Sequence, residues 1–143
     1  MKKTATERMQ ESPLLQRYQK IVKTWLFVVL ALNFLIGLVL STQISAFFFV
    51  IFIVAILPGV IIFLGIRRMK VWAYGLYFFI LLVSIGGNLS FEGSWYAIAI
   101  DVFMTVANIY VMVLTWKLYA GLYPSKQRQE LERLQQQTPP TQT

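Results

Sequence analysis

Residues 46–70 read AFFFVIFIVAILPGVIIFLGIRRMK. From Ala46 to Ile66 no charged residue occurs, and three cations then follow at once: Arg67, Arg68 and Lys70. A helix rises 1.5 Å per residue, so crossing a hydrocarbon core of about 30 Å takes roughly 20 apolar residues. The stretch has that length and composition. It predicts a transmembrane helix with its cations gathered at one mouth.

Three other runs match it. They cover residues 24–42 (TWLFVVLALNFLIGLVLST), 71–89 (VWAYGLYFFILLVSIGGNL) and 95–119, from Trp95 to Tyr119. The links between runs are short: QIS, RRMK and SFEGS. Short links force sequential neighbours to run antiparallel. The expected fold is therefore an all-α integral membrane protein, an up-down bundle of four transmembrane helices. Composition agrees, since 57% of the 143 residues are hydrophobic and 13% are charged, against about 25% charged in soluble domains.

The placement of charge sets the expected orientation. All 13 Lys and Arg residues fall before the first run, in the RRMK link, or at the end of the fourth run and beyond it. The two other links carry none, only Glu92. By the positive-inside rule both termini are cytoplasmic. Trp25, Trp72, Tyr74, Trp116 and Tyr119 are expected at the inner interface, and Trp95 and Tyr96 at the outer one. A long polar leader and a long first run without an A-x-A site do not fit a cleaved signal peptide. A bacterial inner membrane is the expected location.

The ends divide as follows. Residues 1–12 read as a flexible tail, 13–123 as the membrane domain and 124–143 as a polar cytoplasmic tail. Ser12-Pro13 fits an N-cap with Pro at the first helical position. Leu14, Tyr18, Ile21, Val22 and Trp25 then recur at helical spacing, with Arg17, Lys20 and Lys23 between them. That pattern predicts a basic amphipathic juxtamembrane helix. Together with Arg67, Arg68 and Lys70 it offers contacts to anionic lipid headgroups or to a protein partner. Residues 125–137 can form a short polar helix with Arg128, Glu130, Glu132 and Arg133 as local pairs, and TPPTQT is expected to be disordered.

Polar residues inside the runs are the candidate site, because lipid cannot satisfy them. In the fourth run Ser94, Asp101, Asn108 and Thr115 recur every seven residues, and Thr105 lies one turn after Asp101. The first run places Asn33, Gly37 and Ser41 on one helix face, the third offers Ser84, Gly86 and Gly87, and Pro58 beside Gly59 is expected to kink the second. Depths counted from the run ends match Asn33 to Asn108 and Ser84 to Asp101. No cation of the chain matches Asp101, a carboxylate about 9 Å below the outer interface at 1.5 Å per residue. Either it is protonated and hydrogen-bonded, or it reaches water, or it meets a cation from elsewhere.

The absence of Cys and His removes thiol chemistry, disulfides, Cys/His metal sites and the commonest general base. No cofactor, metal, catalytic group or nucleic-acid partner is expected. In length and number of spans the chain resembles small multidrug-resistance transporters. Those carry an essential acidic residue in the first span, where this chain has Asn33 and no carboxylate. The expected function is that of a non-enzymatic small subunit, assembly factor or scaffold of a larger membrane complex, bound to other subunits or to copies of itself. The alternative is a small oligomeric transporter or channel in which Asp101 binds an ion or proton.

Overall fold

In a computed structural model the chain forms six helices over the described residues, 3–43, 46–88 and 93–137, with no strand among them. They are α1 (Ala5–Glu11), α2 (Pro13–Gln43), α3 (Ala46–Arg67), α4 (Val71–Asn88), α5 (Trp95–Leu122) and α6 (Lys126–Gln137). Within them, Pro13–Val39, Phe49–Arg67 and Trp95–Leu122 are long and apolar enough to cross a membrane. Val71–Gly87 is apolar but shorter. Glu92 and the final TPPTQT lie outside the described residues.

Residues 5–11, expected to belong to a flexible tail, form a helix instead. Thr4 accepts a hydrogen bond from the Glu7 N–H, and the Glu7 carboxylate takes the Thr4 N–H at 2.7 Å. This capping box satisfies two donors that a helix start otherwise leaves open. Met9 is buried against the bundle and anchors the helix. Ser12 ends α1 and also caps α2, its Oγ accepting from the Leu15 N–H at 3.4 Å. From Pro13, α2 runs without a break through the basic amphipathic segment into the apolar one. At the other end α6 forms as expected. Arg128 and Glu132 pair one turn apart at 3.9 Å, and Glu132 also meets Arg8 of α1 at 3.4 Å.

Helix α2 packs on α3 and α5, and α4 packs on the same two. The four long helices therefore close into a ring. One core cluster joins Val22 and Leu26 of α2, Ile62 and Ile66 of α3, Tyr74, Tyr77 and Leu81 of α4, and Val111 to Leu122 of α5. These are the first half of α2, the last of α3, the first of α4 and the last of α5. Sequential neighbours thus run antiparallel, and the cation-bearing segments share one end of the bundle. Among the described residues, no buried hydrophobic side chain falls between positions 27 and 61 or between 82 and 110. The buried core therefore lies at the basic end of the bundle.

The turn after α3 shows how the basic end is fastened. Lys70 N–H bonds the Gly65 carbonyl at 2.9 Å and Met69 N–H bonds that of Ile66 at 3.0 Å. This is the Schellman pattern, and it needs a left-handed residue, here Met69 at φ 51°, where Gly is the usual choice. The Tyr123 hydroxyl donates to the Met69 carbonyl and ties the turn to the end of α5. Tyr74, expected at an interface, is instead 1% exposed. Its ring meets Tyr123 edge-on at 6.4 Å between centroids.

Small residues set two of the close approaches. A Cβ at Gly59 would lie 2.5 Å from Leu30 Cδ2, which brings α2 and α3 together beside Pro58, through which α3 continues. A Cβ at Gly65 would lie 2.6 Å from the Ala73 Cβ, and an alanine has no flexible end that could yield. Gly65→Ala is therefore expected to destabilise the fold by about 1–3 kcal/mol through overpacking. Gly75→Ala meets nothing within 4 Å. It should be neutral, or stabilise by up to about 1 kcal/mol through helix propensity. Unfolding of the two variants in the same detergent checks the contrast, and equal effects would sink it.

Candidate functional site

Near the middle of the bundle the four long helices enclose a cavity of about 210 Å³. Its polar residues are Trp25 and Asn33 of α2, Tyr77 and Ser84 of α4 and Asn108 of α5, and Pro58 and Gly59 of α3 complete that wall. Pro58 has no N–H, so the helix carbonyl one turn before it lacks its usual donor. Asn108 is the hub. It is 3% exposed, its Oδ1 accepts from the Trp25 indole N–H at 3.3 Å, and its Nδ2 donates to Ser84 Oγ at 3.1 Å. One carboxamide thus links three helices and uses both its donor and its acceptor side.

These pairings differ from the depth matches. Asn33 turns its Nδ2 to the Val29 carbonyl of its own helix at 2.8 Å, and Ser84 meets Asn108 rather than Asp101. The cause is register. Leu15 packs on Gly121, where a Cβ would lie 2.6 Å from Leu15 Cδ2. Counting along antiparallel α2 and α5 from that contact puts Trp25 level with position 111 and Asn33 level with position 103. The indole can therefore reach Asn108, whereas Asn33 sits more than a turn away from it. The Phe78–Trp116 ring contact does the same for α4 and α5. It sets Ser84 level with position 110, within a turn of Asn108 and more than two turns from Asp101.

The rest of the stripe divides by depth. Thr115 is buried and returns its hydroxyl to the Val111 carbonyl at 2.8 Å. Thr105 Oγ1 is buried with no hydrogen-bond partner. Asp101 is half-buried, does not line the cavity, and makes no hydrogen bond or ion pair among the described residues. Ser94 caps α5 by position, but its side chain makes no capping bond. Gly37 lies under the Phe52 ring, Gly86 has nothing near it, and the Ser41 side chain lies outside the described residues.

Of the six basic candidates, Lys23 is half-buried and Arg17, Lys20, Arg67, Arg68 and Lys70 are exposed. None forms an ion pair among the described residues. The Trp25 indole is the functional group that sequence reading passes over, because a Trp at the head of an apolar run looks like an interface anchor.

Chemically, the central site consists of neutral donors and acceptors. Ser84 faces an amide rather than a base, so its hydroxyl is not activated as a nucleophile. The cavity has room for several waters, and its network can lock three helices in one register. Comparison of the chain with protein families, with characterised proteins and with solved structures finds no match.

Proposed function

We propose that this chain is a non-enzymatic, four-span membrane protein with both termini in the cytoplasm, a small subunit, assembly factor or scaffold of a larger complex in a bacterial inner membrane. Helix α4, at 18 residues, reaches about 27 Å at 1.5 Å per residue, close to the hydrocarbon thickness. The gathering of cations at one end of the bundle supports the orientation. Asp101 carries the functional reading. It is a half-buried carboxylate without a partner among the described residues, in the half of the bundle where those residues bury no hydrophobic side chain. A charge at such depth costs roughly 3 kcal/mol in lipid, and a donor or cation on a neighbouring subunit would offset that cost. Exposed Val102, Phe103 and Val106 beside it would pack on the same neighbour.

Purification in a mild detergent tests this. A stoichiometric membrane partner, or a second copy of the chain, should accompany the wild type. Asp101→Leu should weaken that association about tenfold or more while thermal unfolding of the isolated chain stays unchanged. The transport alternative draws on the central cavity, although Asp101 is not among its lining residues. A chain that purifies alone and drives flux in vesicles, with flux abolished by Asp101→Asn, would establish transport and defeat the subunit reading.

A further inference from the structure

Where α2 meets α3 at the basic end, an open groove of about 390 Å³ is lined by Lys23, Thr24, Phe27, Phe63 and Arg67. Its layout is ordered along the helix axes. Phe27 lies one turn beyond Lys23 on α2, and Phe63 lies one turn before Arg67 on α3. The helices are antiparallel, so both cations stand at the mouth and both rings lie below them. The rings meet at 6.4 Å between centroids, tilted by 48°, and form a continuous apolar floor. One turn is about 5.4 Å, comparable to the step from a lipid phosphate to the start of its acyl chains. The Gln19 carboxamide donates to the Ile66 carbonyl at 3.4 Å. That bond fixes the two helices beside the groove and sets Arg67 next to the α2 face that carries Lys23.

Neither cation has a carboxylate partner among the described residues, where ion pairs are made only by Lys3, Arg8 and Arg128. Phe27 remains largely exposed. A pair of unneutralised cations above an apolar trough lacks an anion with a hydrocarbon tail. From this charge complementarity we infer that the groove between α2 and α3 is a binding site for one anionic phospholipid. Lys23 and Arg67 hold its phosphate, the Thr24 hydroxyl can add a hydrogen bond, and an acyl chain lies over Phe27 and Phe63. Arg suits the phosphate because its guanidinium presents two parallel donors. The site differs from general attraction of a basic surface to the inner leaflet, which would use Arg17 and Lys20 equally. It rests on the reading that α2 and α3 span a membrane.

The test uses the full chain in a non-ionic detergent, titrated with phosphatidylglycerol, phosphatidylcholine or inorganic phosphate, with occupancy read by native mass spectrometry. One phosphatidylglycerol should stay bound through mild activation. Phosphatidylcholine should bind at least about tenfold more weakly, because its headgroup has no net charge, and phosphate should not displace the lipid. Lys23→Gln with Arg67→Gln should weaken phosphatidylglycerol roughly thirtyfold, whereas Arg17→Gln with Lys20→Gln should leave it within about twofold. Equal binding of the two lipids, equal loss in the two double variants, or displacement by phosphate would each overturn the site. Alkaline carbonate extraction of native membranes reports separately on the spanning reading. Release of the chain there would overturn both, while retention with no lipid preference would overturn the groove alone.

Discussion

Tyr74→Ala is expected to cost about 3–5 kcal/mol of stability, the range for truncating a fully buried aromatic ring. Phe79→Ala, in the same helix, should change it by less than about 0.5 kcal/mol. Tyr74 is 1% exposed and Phe79 60% exposed, so the two substitutions remove similar rings from opposite environments. Tyr74 touches the end of α5 through Tyr123 and lies beside Ile66, whose carbonyl its hydroxyl reaches at 3.5 Å. That bond is long, so Tyr74→Phe should be nearly neutral and the loss in Tyr74→Ala should come from packing and the cavity left behind. Outward-facing Phe79 exchanges hydrocarbon for hydrocarbon in lipid or detergent, which gives it little to lose. Reversible unfolding in mixed micelles measures both. Comparable effects at the two positions would mean that packing is not confined to one face of α4.

That confinement was not legible in the amino-acid sequence, for a physical reason. In a water-soluble helix the polar face points outward and marks the buried face by contrast. In these runs lipid-facing and core-facing positions are equally apolar, so Leu81 and Leu82 look alike although only Leu81 is buried. Charges remained legible because their placement depends on the ends of the runs and not on packing. The apolar runs predicted the long helices closely for the same reason. α1 was legible in principle, since Thr4-x-x-Glu7 is a capping box in sequence, but its polar composition with the single anchor Met9 reads as a tail.

The candidate site was half legible. Asn33, Ser84, Pro58, Gly59 and Asn108 all come to one cavity, because polar and helix-perturbing groups in apolar runs have few places to go. Asp101 and Thr105 belong to the same stripe and yet lie apart from it. Pairings were not legible, since depth measured from the ends of apolar runs ignores the register. The register is set by bulk against absence of bulk, as where Leu15 meets Gly121.

Asn108→Leu is expected to destabilise the bundle by about 1–3 kcal/mol. Two interhelical hydrogen bonds are lost, each worth on average about 0.6 and at most about 1.7 kcal/mol in a membrane setting. A leucine branch must also fit where a flat carboxamide lay, with the Trp25 N–H left facing an apolar group. Asn33→Leu should cost almost nothing, because the Asn33 carboxamide serves only a carbonyl of its own helix. A double-mutant cycle makes the contrast sharper. Asn108→Leu and Ser84→Ala should couple by about 0.6 kcal/mol or more, and Asn108→Leu with Asn33→Leu should be additive within about 0.3–0.5 kcal/mol. Coupling of Asn108 to Asn33 and not to Ser84 would show that α2 sits more than a turn from the register described against α5, and would restore the pairing expected from depth alone. Coupling to Ser84 instead fixes α4 against α5 at the level of the cavity. It would also place Asp101, seven residues from Asn108, beyond the reach of the network.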